Sequence, residues 1–360
     1  MLKSRLWIYI LILFICTRFL FFAEAVQMAH SFHLKIPFSM LFSLLDGFWY
    51  VNIARHGYDV HPQFGVFWQG HANYVFFPLY PFLIRGGVVL THLPAAIVGQ
   101  ILSSLCFLVS LFLFYHLLRR SLDERMARIG CLLLALSPYN VYYMAVYTES
   151  LFLMLSLIFW LAALNQRWFW MGVAGFLMAA THPNGVLIIL FAIWFAWEDY
   201  QKTHDIWRYW PVLMIPLSLI GYMIYLHFHV GDALAFVHNE EAHWQRAGWH
   251  WRNLTVELQR QSRFQMYNIS IYLMGLALSV LLYRRGYRKE ALMIPVFTSL
   301  ALLSGSFVSL SRYTAGLFPF YMGLLVFVKE RKSLDLTLLF LFLLSLLLMS
   351  WWVQQFMMAF

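Results

Sequence analysis

The stretch AAIVGQILSSLCFLVSLFLFYHLL, residues 95–118, runs without a charge and stops at Arg119-Arg120. A helix of about 20 such residues, rising 1.5 Å each, crosses the ~30 Å hydrocarbon layer of a bilayer. Similar apolar runs lie on either side of it, at 6–26, 128–147, 150–166, 168–182, 184–199, 209–229, 267–283, 290–306, 313–328 and 336–354. Together they make about eleven candidate spans. Composition agrees: of 360 residues, 62% are apolar and 11% charged, against about 25% charged in an ordinary soluble domain. A soluble enzyme, a nucleic-acid binder and a disordered chain are excluded. The expected fold class is an all-α polytopic membrane protein, one integral-membrane domain over residues 1–360 with the lipid bilayer as its solvent.

The first run follows Lys3 and Arg5. It is too long for the apolar part of a signal peptide and no small-x-small site follows, so a retained first helix is expected. Arg18 and Glu24 interrupt it, and ionisable groups at such depth usually face a protein interior or a wet cavity. Segment 75–92 is apolar too, but Pro78, Pro81 and Arg85-Gly86-Gly87 mark an interfacial or re-entrant piece. The net charge of +9 resides in short loops and gives no argument for nucleic acid. With the N-terminus cytoplasmic, most basic residues, among them Lys3, Arg5, Arg119, Arg120, Arg125 and Arg128, fall in inner loops. Two long polar loops, 27–94 and 230–266, then face outward. Cys16, Cys106 and Cys131 all lie in apolar runs, so neither a disulfide framework nor a metal cluster is implied.

Chemistry is therefore sought on the extracytoplasmic face. In the first outer loop, positions 46, 49, 50, 53 and 57 of Asp46-Gly-Phe-Trp-Tyr-Val-Asn-Ile-Ala-Arg-His-Gly-Tyr58 share one helical face. The spacing predicts a short interfacial helix, with Asp46 at its dipole-favoured start and Gly57 at its stop. Asp46 is either a reactive acid or only an N-terminal cap; the scarcity of outer-side acids favours the first. Arg85 can snorkel or hold a phosphate, and snorkelling is the simpler reading. Glu149 and Arg312 are isolated charges at a membrane boundary, while Asn184-Gly185 reads as a tight turn after Pro183. In the second outer loop His238, Glu240 and His243 tempt toward a metal, but a spacing of five places the histidines on different helical faces. No metal is expected. Trp244, Gln245 and Trp249 suit sugar hydroxyls better.

The segment Asp46–Tyr58, followed by Phe76-Phe-Pro-Leu-Tyr-Pro81, resembles the signature of the PIG-V mannosyltransferases. Ser137-Pro138 with Tyr147-Thr-Glu-Ser150, Thr181-His-Pro-Asn-Gly185, Trp244-Gln-Arg246, and Ser311-Arg-Tyr313 with Phe318-Pro319 follow in that family's order over most of the chain. Two positions depart: Leu45 stands where the family usually has Trp, and His182-Pro183 replaces its Arg or Ser before Asn-Gly. The resemblance implies a GT-C glycosyltransferase, a multi-helix membrane enzyme with its site on the outer face, here a bundle of the roughly eleven spans read above, fed by a polyprenyl-phosphate sugar. It also implies that the first-loop acid, Asp46, is catalytic.

The expected reaction is transfer of a hexose, mannose by resemblance, to an extracytoplasmic acceptor hydroxyl by one inverting displacement. Asp46 serves as general base. Arg312, then Arg85, then Arg246 and His56 are the candidates for the leaving phosphate. Trp49, Tyr50, Trp244, Gln245, Glu149 and Asn184 complete the candidate substrate contacts. No cofactor is called for, and the acceptor is a glycolipid, a glycopolymer or a protein. The rivals are a lipid or lipid-linked-sugar flippase, another outer-face envelope-polymer transferase, and a scaffold without catalysis.

Overall fold

The computed structural model describes residues 2–34, 37–62, 70–243, 263–303 and 309–358. All regular elements among them are helical. In order they are α1 (Leu2–Ser31), α2 (Phe38–Leu41), α3 (Asp46–His56), a 3-10 turn (Asn73–Val75), α4 (Leu79–Thr91), α5 (Ala95–Leu118), α6 (Glu124–Ala135) and α7 (Asn140–Met144). Then come α8 (Glu149–Leu164), α9 (Trp168–Thr181), a 3-10 turn (Pro183–Leu187), α10 (Ile188–Thr203), a 3-10 segment (Ile206–Leu213), α11 (Met214–Val230) and α12 (Ala235–His243). The chain closes with α13 (Arg263–Arg284), α14 (Arg288–Leu303), α15 (Leu310–Ala315), α16 (Phe318–Arg331) and α17 (Leu334–Met358).

Among the described residues, 5 helical stretches are long and apolar enough to cross a membrane: Leu6–Ser31, Ala95–Leu118, Ile206–Val230, Gln265–Arg284 and Leu334–Gln354. By length and composition this is an all-α, multi-pass membrane protein. Their outer surfaces invert the soluble pattern. Ile15 and Phe19 on α1, Phe228 on α11 and Leu336 on α17 are exposed, as helices facing lipid require. Hydroxyls inside the bundle bond back to their own helix: Thr17 Oγ1 donates to Leu13 O at 2.8 Å, Ser110 Oγ to Cys106 O at 2.8 Å and Thr298 Oγ1 to Ile294 O at 2.7 Å. Where water is absent, this back-bonding satisfies the hydroxyl.

Several expected spans are shorter or broken. Segment 128–147 is not one helix: α6 stops at Ala135, and α7 begins at Asn140, beyond Pro138. Proline supplies no N–H and crowds the preceding turn. Asn140 Nδ2 answers the carbonyls freed there, donating to Ala135 O at 2.9 Å and Ser137 O at 2.6 Å. Arg18 of α1 in turn bonds the Asn140 side-chain oxygen. Segment 313–328 is likewise split into α15 and α16 ahead of Pro319. Helix α4, of 13 residues, is too short to span, in keeping with an interfacial or re-entrant piece. Helix α8 lies at the centre, with Leu153, Leu157, Phe159 and Trp160 fully buried, and it presents its first residue, Glu149, to the site.

Candidate active site

The site is built where three helices start or break. Leu45 has φ 55 and ψ -118, a sparsely populated backbone conformation that costs a non-glycine residue about 1–3 kcal/mol. It turns the chain into α3 so that Asp46 opens the helix. Gly47, Trp49, Tyr50, Ile53 and Ala54 form the buried face of α3, and Gly57 (φ 83) ends it. Gly47 allows a close approach: a Cβ there would lie 3.3 Å from the Val146 carbonyl oxygen, a tight contact. Val146 N also donates to Phe42 O at 2.7 Å. Thus the start of α3 is pinned to the turn that leads into α8.

Arg312 arrives from the opposite direction on the short helix α15, whose Ser311 N donates to Asn268 Oδ1 of α13 at 3.1 Å. Its guanidinium bridges two acids: Nη1 donates to Asp46 Oδ2 and Nε to Glu149 Oε1. The same guanidinium lies over the Tyr147 ring, 4.7 Å from its centroid, and the Tyr147 hydroxyl accepts from Asp46 N at 3.3 Å. Both acids lie in the first turn of a helix, where the dipole favours negative charge. They differ in access. The Asp46 side chain is 22% exposed, that of Glu149 only 6%. Glu149 keeps its second oxygen, Oε2, buried with no hydrogen-bond partner, and so does the Asn184 side-chain oxygen.

Two spaces share Arg312 and His182 in their walls. A cleft with about 420 Å³ of open space is lined by Asp46, Tyr50, Val75, Phe76, Phe77, His182, Pro183, Glu240 and Arg312. Behind it, a chamber with about 290 Å³ is bordered by Glu149, His182, Asn184, Arg312 and Tyr313, with Thr148, Phe152, Phe297 and Gly316. Burial pushes the Tyr50 phenol above its ordinary range, with the Arg312 guanidinium pulling the other way, so Tyr50 is a neutral hydroxyl in the cleft wall. His182 borders both spaces and meets the Tyr313 ring edge-on at 5.0 Å.

The cleft has a polar roof. Asn73 Nδ2 donates to Asn52 Oδ1 (3.2 Å) and Gly57 O (3.1 Å), and Asn73 Oδ1 accepts from Asp59 N (2.8 Å). The roof is fastened to the α11–α12 hairpin: Tyr222 OH donates to Tyr74 O (2.6 Å), Ala72 N to Asn239 Oδ1 (3.1 Å) and Asn239 Nδ2 to Gly70 O (2.8 Å). Phe77, Tyr222 and Phe236 pack beneath these bonds. This docking carries Glu240 over the cleft.

Of the residues singled out from sequence, Asp46, Tyr50, Glu149, Asn184 and Arg312 converge here. Trp49 lies behind them, stacked on Phe76 at 5.9 Å, and supports the wall without lining it. His56, at the far end of α3, and Arg85 on α4 are exposed and line neither space; for Arg85 this suits snorkelling. Trp244, Gln245 and Arg246 fall outside the described residues. His238 pairs with Asp232 (Nδ1 to Oδ2, 2.7 Å), and the bond holds the Asp232 carboxyl below its usual range. Of the trio read as a tempting metal set, only Glu240 lines the cleft.

Sequence reasoning did not single out Tyr147, His182 or Glu240 as site residues. Tyr147 and His182 lay inside quoted motifs, so the signal was present, whereas Glu240 reaches the cleft only through the docking of α12. No known family model matches this chain, no curated protein matches it, and no solved structure does.

Proposed function

We propose that this protein is a membrane-embedded glycosyltransferase. It takes a hexose, mannose by the resemblance of its motifs to PIG-V enzymes, from a polyprenyl-phosphate sugar and moves it to the hydroxyl of an extracytoplasmic acceptor. The observation that carries the reading is the Asp46–Arg312–Glu149 cluster at the mouth of a cleft among apolar helices. In this reading the short or broken helices α6–α7, α8, α9, α10, α14 and α15–α16 join the 5 long stretches to make about eleven crossings of a GT-C-type bundle. The N-terminus lies in the cytoplasm, and the cleft opens on the other side.

Asp46, the more open acid, takes the proton from the acceptor oxygen as that oxygen bonds the anomeric carbon. The bond from that carbon to the phosphate oxygen breaks, and the electron pair leaves with the polyprenyl phosphate. Arg312 faces the cleft and meets the charge that develops on that oxygen. Glu149, buried behind, orients the guanidinium. One displacement inverts the anomeric centre. The polyprenyl tail lies among the lipid-facing helices, which is why a site at the membrane boundary suits this donor.

The test is a transfer assay with purified protein, radiolabelled polyprenyl-phosphate mannose and a membrane lipid extract, beside Asp46→Asn. Labelled product that vanishes in the variant, with unchanged yield and membrane insertion, supports donor class and base together. Full activity in Asp46→Asn ends the assignment of the base. No product from either protein returns the choice to a flippase, read by translocation of a labelled lipid.

A further inference from the structure

A larger open space lies away from the cleft, where α1, α6 and α17 begin. It holds about 870 Å³ and is lined by Tyr9, Glu124, Arg125, Arg128, Ile129, Leu132 and Leu334. Arg125 is exposed and half-buried Arg128 lies one turn further along α6, so both guanidinium groups can face one ligand. Arg128 is held in place: Nη2 pairs with Glu124 Oε1 at 2.5 Å, its Cζ lies 5.3 Å from the Tyr9 ring centroid, and Tyr9 OH donates to the Arg128 carbonyl at 2.9 Å. That pair neutralises Glu124 and leaves the Arg125 charge uncompensated in the groove. Two donors nearby are buried with no hydrogen-bond partner, Arg128 Nε and the hydroxyl of Ser333, the residue before Leu334. Ile129, Leu132 and Leu334 give the rest of the wall an apolar surface. The flanks, Ile8 on α1 and Leu336 on α17, are exposed apolar side chains, so the groove opens sideways onto the lipid-facing surface.

Positive charge, idle donors and an apolar wall at a lateral opening suit one occupant. We infer that this groove binds a phosphate-headed anionic lipid, its phosphate on Arg125 and Arg128 and the start of an acyl chain along Ile129 and Leu132. Basic pockets between membrane helices bind anionic headgroups for this reason, and guanidinium groups match phosphate geometry better than ammonium groups do. The apolar wall of Ile129, Leu132 and Leu334, which a lone phosphate would leave uncovered, points to a lipid over a free anion. This site is independent of the proposed transfer chemistry and needs no donor sugar.

The test is thermal unfolding of the purified full chain in a neutral detergent, with phosphatidylglycerol, phosphatidylcholine or inorganic phosphate added. Phosphatidylglycerol should raise Tm and phosphatidylcholine should not. The rise should be lost in Arg125→Gln and in Arg125→Gln/Arg128→Gln, and kept in Arg167→Gln, a basic residue in the loop between α8 and α9. Because Arg125 is exposed, its single variant decides the matter if the double variant folds poorly. An equal rise with phosphatidylcholine, a rise retained in Arg125→Gln, or one reproduced by inorganic phosphate alone would overturn the inference.

Discussion

Arg312 contacts two acids that lie 163 and 266 residues away in the chain, and it is 8% exposed. Removing one partner of such a buried arrangement leaves uncompensated charge, at a typical cost of about 3–5 kcal/mol. Arg312→Gln should therefore melt well below the parent in detergent. Adding Glu149→Gln removes one stranded carboxylate, so Arg312→Gln/Glu149→Gln should regain part of that loss; additive losses in the double variant would show that the two groups do not interact. Asp46, Glu149 and Arg312 were legible as isolated charges in an apolar chain, because scarcity can be read from the sequence. Their meeting was not, since helical periodicity orders only neighbours within a turn or two. Arg312 reads in isolation as a phosphate ligand; in the fold its guanidinium is already engaged by carboxylates.

At the scale of elements, α3 was largely legible: of the expected face at positions 46, 49, 50, 53 and 57, the helix buries 49, 50 and 53, while Asp46 sits at its open start and Gly57 lies just past its end as the expected stop. The segment 128–147 was not, because its apolar composition continues past Pro138 while its backbone cannot continue as helix. The turn at Thr181–Gly185 was read correctly as tight, and the structure shows how tight. A Cβ on Gly185 would lie 2.1 Å from the Met178 carbonyl oxygen, which the preceding helix holds fixed. Gly185→Ala should lower stability by about 3 kcal/mol, and it should do so with Asp46 or without it. At the roof, Tyr222→Phe strands the Tyr74 carbonyl and should cost about 1–3 kcal/mol. Because the roof places Glu240, the same variant should alter transfer kinetics while a lipid-facing control, Phe228→Leu, should not. Equal kinetics in both would detach the roof from the site.

For the whole molecule, hydropathy gave the class, and among the described residues the structure gives 5 stretches long and apolar enough to cross a membrane. Helix α8, of 16 residues, falls short of the usual ~20 as its expected run 150–166 already did, whereas 128–147 and 313–328 are cut near Pro138 and Pro319 although composition shows them as continuous. Sidedness is testable in a Cys16→Ser background. With Cys106 and Cys131 buried, a membrane-impermeant maleimide should label Glu241→Cys on intact cells and Arg120→Cys only after lysis. The reverse pattern would place the cleft in the cytoplasm and remove the proposed donor from reach.

Among the described residues, the carboxyl groups of Asp46 and Glu149 flank the Arg312 guanidinium and Glu240 lines the same cleft, and the phosphodiester of the proposed donor would add another negative charge. Close packing of so many like charges favours neutralising one of them, and Glu149, the most enclosed and engaged through only one oxygen, is the natural recipient. Loading the donor should thus draw a hydrogen ion out of solution. Titration calorimetry in buffers of different ionisation enthalpy should give binding heats that change with the buffer, and Glu149→Gln should make those heats the same in every buffer.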